Sequence, residues 1–360
     1  MRRASVGGLL LLALTATHSA KTDGEPTATY YVFVVSEASD EIQLISFGSG
    51  GARVDHAVKI SLMPGINGPH GIAVSPDRRY YYVSIGHGMP FGSLLKYTTS
   101  GDTLLGRVTL GMFPATVHLT PDGAFAYVAN FNLHGDMVPS SISIVSTADM
   151  VEVTRPTTCV MPHGSRVNPQ GTKQYSVCMM DDRLVEIDTR TLGVARSLSV
   201  AAGAVCSPTW AQPSTDGRTI YVACNKANEI VEVDVARWAI TRRIAAGDGV
   251  YNLAMTPNGR LLIATNKRAR SVSVFDVVAG RELARIATER KVVHGAAVSS
   301  DGRYAFVSVE GVGAEPGTVV VIDLTTLRSV ASVNVGEQAA GIDFWKLEPA
   351  AATSQAVQGP

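Results

Sequence analysis

Cysteine, charge and catalytic signatures are all scarce in this chain of 360 residues, and each shortage removes a class of function. With four cysteines and no Cys-x-x-Cys-His run, covalent c-type haem is excluded. No Gly-x-Ser-x-Gly, phosphate-cradling glycine loop or His-Glu-x-x-His occurs, so the serine-hydrolase elbow, the P-loop and the zinc-protease helix are out. Charged residues make up 17% of the chain, below the roughly 25% usual in soluble domains. Lys+Arg and Asp+Glu balance at 31 each, leaving no net field to draw nucleic acid or an anionic membrane surface; a nucleic-acid partner is disfavoured.

What the chain has is repetition. Turn glycines fall in register at Gly123, Gly171, Gly217, Gly259 and Gly302, with Arg78 in the equivalent first place, at intervals of 42 to 48 residues. After each turn comes an aromatic or aliphatic residue followed by small or β-branched ones, as in Tyr127-Val-Ala-Asn130 and Tyr221-Val-Ala-Cys224. A further strand then closes on an acid, as in Val231-Glu-Val-Asp234 and Val321-Ile-Asp323. Six units are internal. Tyr31–Val35 with Ile42–Phe47 at one end, and Ala340–Trp345 at the other, read as parts of a seventh. The pattern predicts an all-β, seven-bladed β-propeller with four-stranded antiparallel blades, the last blade closed by N- and C-terminal strands so that no sheet edge is left open. The 34 glycines and 17 prolines serve its many turns.

The units Tyr221-Val-Ala-Cys-Asn-Lys-Ala-Asn228-Glu-Ile-Val-Glu-Val-Asp234, Ser75-Pro-Asp77, Thr120-Pro-Asp-Gly123 and Thr256-Pro-Asn-Gly259 resemble the YVTN-type, YncE-like propeller repeat, over roughly residues 30–347. The resemblance implies an architecture shared with phosphogluconolactonase-type lactonases, amine dehydrogenase large subunits, the haem d1 domain of nitrite reductase and the copper propeller of nitrous oxide reductase. Their activities diverge, so the fold alone assigns none. A WD40 array is disfavoured because Trp210, Trp238 and Trp345 are not in Trp-Asp pairs.

Met1-Arg2-Arg3, the apolar run Val6–Ala16 and the small-residue exit ending at Ala20 predict a signal peptide over residues 1–20. The run is too short to cross a bilayer comfortably, so no transmembrane segment is expected in the mature protein. A linker over residues 21–29, the propeller over 30–348 and a disordered tail over 349–360 complete the domain plan, for a periplasmic or secreted protein.

Propeller register indicates where a site would lie. The start of each innermost strand and the end of each second strand meet at one mouth of the central channel. The first of these slots, eight residues before the turn glycine, holds His70, His163 and His294, each followed by glycine. The other units carry Ala115, Thr209, Tyr251 and an alanine. Three imidazoles aimed at one axis suit copper or another transition metal such as zinc; strand capping through a backbone hydrogen bond is the alternative for each. His87 and His134, on long loops of the same face, are further candidates for the channel mouth, with Asp181, Asp182 and Glu310. His118 and Arg166 share a slot further along the innermost strand and belong with them as channel-lining candidates.

Cys178 and Cys224 end equivalent strands, while Cys159 and Cys206 precede the first strands of the same two units. In an exported protein this reads as disulfides Cys159–Cys178 and Cys206–Cys224, against a thiolate metal site with Met161, Met179 and Met180 as the competing reading. The functional expectation is an exported propeller that binds a small ligand, metal ion or protein partner at its channel mouth without catalysis. A copper-dependent oxidoreductase or electron-transfer subunit using the three histidines is the alternative, and a lactonase-type hydrolase stands behind both.

Overall fold

Each repeat folds around the same turn. In Thr120-Pro-Asp-Gly123 the Thr120 hydroxyl donates to Asp122, whose carboxylate also accepts from the Ala124 amide at 3.0 Å, and Gly123 adopts φ 71°. Arg78 fills the glycine place of the first unit at φ 62°. Strands flank these turns because alternate residues face opposite sides of a pleated sheet and the β-branched ones pack both ways.

The computed structural model describes residues 26–61, 63, 65–87 and 91–349. The signal peptide and all but the first residue of the tail lie outside the described residues, as does most of the linker. Described residues form 29 strands in seven sheets. Blade 1 runs from inside outward as Pro69–Val74, Tyr80–Ile85, Ser93–Thr98 and Leu104–Thr109, and blades 2 to 6 repeat that order. Blade 2 gains a fifth short strand, Thr157–Val160, which pairs with Pro139–Ser146. Blade 7 joins the two ends of the chain: Ala339–Pro349 is innermost and pairs antiparallel with Ala28–Ser36, followed by Glu41–Gly48 and Gly51–Lys59. That pairing begins at Ala28↔Pro349, slightly wider than the expected limits.

The seven innermost strands touch in cyclic order around the channel. Apolar clusters lie chiefly between neighbouring blades. Tyr30 and Phe47 of blade 7 pack on Tyr304 and Phe306 of blade 6, and Phe33 stacks on Tyr81 of blade 1 at 4.6 Å between ring centroids. A blade therefore cannot bury its own faces, and stability belongs to the closed ring.

All four cysteines are paired as expected, Cys159–Cys178 and Cys206–Cys224. Because Cys159 sits on the added strand of blade 2, the first bridge ties blades 2 and 3 together. The thiolate metal site is overturned, since no free cysteine remains. No helix of the described residues is long and apolar enough to cross a membrane.

Candidate functional site

The slot that carries the histidines begins each innermost strand. In blades 1 to 4 a proline starts the strand and the slot residue follows: Pro69-His70, Pro114-Ala115, Pro162-His163 and Pro208-Thr209. Proline is admitted at a first strand position. A hydroxyl of the preceding blade clamps the carbonyl of the slot residue. Ser84 donates to Ala115 O at 2.8 Å, Thr116 to His163 O at 2.9 Å, Thr209 to Tyr251 O at 2.8 Å and Thr265 to His294 O at 3.0 Å. The glycine after each histidine permits the close approach. A Cβ at Gly71 would stand 2.2 Å from Ala115 O, and one at Gly164 2.3 Å from Thr209 O, so a side chain there would force the blades apart.

With the backbone so fixed, the large slot residues meet on the channel axis. Ring centroids run His70 to His163 at 6.1 Å, His163 to Tyr251 at 5.4 Å, Tyr251 to His294 at 5.1 Å and His294 to His70 at 5.3 Å. The small slot residues Ala115, Thr209 and Ala340 leave room between them. Phe113 covers His70 at 5.4 Å and Phe131 covers His163 at 4.8 Å, while His87 and His134 lie against Phe113 at 5.2 and 5.4 Å. Phe113 holds φ 47°, an uncommon conformation for an aromatic residue, and this places its ring over the histidines.

Hydrogen bonds settle which face each ring presents. Nδ1 of His163 donates to Thr209 O at 3.0 Å, so its Nε2 is the acceptor and takes the Tyr251 hydroxyl, also at 3.0 Å. Nδ1 of His70 faces the Glu37 carboxylate at 2.7 Å, and its buried Nε2 has no hydrogen-bond partner. Nδ1 of buried His294 likewise makes no hydrogen bond, and its Nε2 lies 3.9 Å from Glu310 Oε1. Lys267 Nζ stands 3.6 Å from the same Glu310 oxygen and 3.8 Å from the centre of the Tyr251 ring.

Burial sets the charges. Desolvation drives His163 down to about 3, helped by the charge of His70, and drives His294 well below the usual histidine range, helped by Lys267. Both are neutral imidazoles at neutral pH. Desolvation alone would raise Glu37, but the charge and hydrogen bond of His70, followed by those of His87, outweigh it and hold the carboxyl down to about 2. Desolvation lowers Lys267 and raises Glu310, each opposed by the other's charge. The site thus offers neutral nitrogen lone pairs beside a carboxylate and an ammonium group. Among the described residues, no three His, Cys, Asp or Glu side chains stand around a common point as metal ligands do. Tyr251 stands between His163 and His294 and caps the first of them.

These groups bear on acid stability. Glu37 is depressed in the fold, so its contribution is complete above the ordinary glutamate value and is lost as pH falls toward 2. His163 and His118, both held down to about 3, stay neutral in the fold, whereas an unfolded histidine binds a proton below roughly 6.5. All three effects have the same sign. The metal-free protein is expected to lose stability steadily as pH falls from about 6.5 to 3. In urea titrations His118→Asn, which keeps an acceptor for the Val167 amide, should flatten that slope by up to about 1.4 kcal/mol per pH unit. An unchanged slope would refute the assignment to His118.

The structure brings together His70, His163, His294, His87, His134 and Glu310. Asp181 and Asp182 are engaged elsewhere, accepting from the Val160 and Ser207 amides at 2.8 and 2.7 Å. His118 and Arg166 line a cavity bounded by the turn residues Pro76, Pro121 and Pro169, at the opposite end of the channel from the histidines. Each lies three residues beyond its slot residue, or about 10 Å along a strand, and Arg166 also lines an inner channel pocket with His70, Trp210 and His294. The sequence reading missed Glu37 and Lys267. Both occupy the place just after a second strand, eight residues past the turn glycine in Gly259 to Lys267, as in Gly123 to Phe131 and Gly302 to Glu310. Tracking that slot as well as the histidine slot would have found them.

No protein-family model and no curated protein matches the chain. Solved structures share its architecture. A chain of Kuenenia stuttgartiensis hydrazine synthase matches at 19% identity and TM-score 0.66, covering 79% of this chain and 92% of that one. A Desulfotomaculum acetoxidans protein of unknown function matches at 13% identity and TM-score 0.70, covering 88% and 99%. A Bacteroides fragilis protein provisionally assigned as a 6-phosphogluconolactonase matches at 16% identity and TM-score 0.67, covering 90% and 99%. At these identities the likeness is one of fold.

Proposed function

We propose that this chain is an exported binding propeller whose channel mouth takes a transition-metal ion, copper or zinc, on His70, His163 and His294. The observation that carries the reading is the way two of these rings are held. A carboxylate accepts from Nδ1 of His70 and a backbone carbonyl from Nδ1 of His163, so both direct Nε2 into the cluster. Metal-binding histidines are oriented in this manner, and the neutral state that burial imposes on His163 and His294 is the one a metal requires. The two disulfides support export to an oxidising compartment.

Binding requires the Tyr251 hydroxyl to leave Nε2 of His163. Calorimetric titration of metal-free protein with Cu(II) and Zn(II) tests this. A single saturable site per chain is expected, weakened by at least about 100-fold in His70→Ala, His163→Ala or His294→Ala. His56→Ala should bind as the parent does, because His56 sits on the outer strand of blade 7 against Asp102. Tyr251→Phe, which removes the competing hydroxyl, should bind at least as tightly. Absence of saturable binding, or equal effects at His56 and His163, would remove the metal and leave a small polar molecule or a protein as the ligand. Turnover of an added reductant by copper-loaded protein would favour the oxidoreductase reading over a binding function.

A further inference from the structure

At the end of the channel opposite the histidines lies a cavity of about 310 Å³, lined by Arg166, His118, Asp343 and Gln212 and rimmed by prolines such as Pro76 and Pro121. Arg166 is the dominant group. Its guanidinium carbon lies 4.6 Å from the centre of the Trp210 ring, which fixes the plane of the fork. Nη1 donates to Ser165 O at 3.0 Å, the guanidinium's sole protein hydrogen bond among the described residues, and Asp343 acts on it only through its charge. Burial lowers Arg166 to about 10, so it remains charged at neutral pH.

The neighbouring groups have few acceptors left to offer it. Asp343 accepts the Val74 amide on one oxygen at 2.8 Å and the Phe344 amide on the other at 2.9 Å. His118 accepts the Val167 amide on Nδ1 at 3.1 Å, which places its proton on Nε2 as a donor. Gln212 donates to Pro213 O at 3.0 Å. The remaining N–H groups of this cation open onto the cavity, beside an imidazole N–H, and are placed to receive an acceptor there.

We propose that this cavity is a binding site for a small organic monocarboxylate, received by the planar fork of Arg166 with His118 as a further donor. A guanidinium fork fits a carboxylate with two parallel hydrogen bonds. A single cation with Asp343 nearby favours one negative charge over the two of phosphate. The proline rim suits a short apolar tail. The site does not depend on the reading of the histidine mouth and stands whether or not metal binds there.

Titration of propionate into protein with ¹⁵N-labelled tryptophan tests the proposal. Of the three indole signals, that of Trp210 is expected to shift saturably, while those of Trp238 and Trp345 stay in place. Inorganic phosphate should bind at least about tenfold more weakly. Arg166→Met should weaken propionate by at least about tenfold, and Arg166→Lys, which keeps the charge without the fork, by less; thermal melting of both variants verifies that they are folded. No saturable Trp210 shift, phosphate binding as tight as propionate, or parental affinity in folded Arg166→Met or Arg166→Lys would each overturn the site.

Discussion

A chain that ends at Gln338 will not unfold cooperatively. It lacks Ala339–Pro349, the innermost strand of blade 7, which pairs with Ala28–Ser36 and lies against the inner strands of blades 6 and 1. Its removal deprives Ala28–Ser36 of its hydrogen-bonded partner, at roughly 1 kcal/mol per bond. It also uncovers the apolar clusters to which Ala339, Ala340 and Ile342 belong. Together these losses approach the 5 to 15 kcal/mol that is typical of a whole folded domain. Because every blade depends on its neighbours, the defect is not confined to blade 7. Circular dichroism during heating should show a broad, sloping loss of strand signal. A sharp transition at the parental temperature would contradict closure of the ring by the two ends.

Lys267→Met should be the most damaging single change at the channel mouth, by about 3 kcal/mol. Removal of one partner of a buried ion pair leaves the other charge uncompensated, at about 3 to 5 kcal/mol. The lower end applies because Lys267 keeps 26% of its side-chain surface exposed, against 14% for Glu310. The methionine chain retains most of the packing on Tyr251 but not the charge above its ring. Adding Glu310→Gln should restore most of the loss, since no isolated carboxylate then remains. Urea unfolding of the two single variants and the double variant measures the coupling. If the double variant is as unstable as the sum of the singles, the pair is not what holds this part of the mouth.

Much of this arrangement was legible in the chain because one short feature, the turn glycine, sets the register of every blade. From that register came the seven blades, the closure by the two ends, the disulfide pairing and the placement of His70, His163 and His294 at one mouth of the channel. Glu37 and Lys267 escaped because a lone Glu or Lys just beyond a strand is usually a solvated loop residue. Packing of blade 7 against blade 1, which follows it directly along the chain, brings Glu37 to Nδ1 of His70. His118 and Arg166 lie deeper in the channel than the slot histidines, a depth that their place three residues further along the strand already gives. The role of Tyr251 was hidden for another reason. Its slot was recognised, yet only side-chain geometry shows its hydroxyl on Nε2 of His163.

The most direct test of a three-histidine metal centre is X-ray absorption at the metal edge of protein loaded with a single equivalent of Zn(II) or Cu(II). The account predicts three imidazole nitrogens at about 2.0 to 2.1 Å, with the multiple-scattering pattern of histidine rings. His163→Ala should lose a nitrogen from that shell, and His56→Ala should leave it unchanged. A spectrum with sulfur in the first shell, or one left intact by His163→Ala, would contradict it.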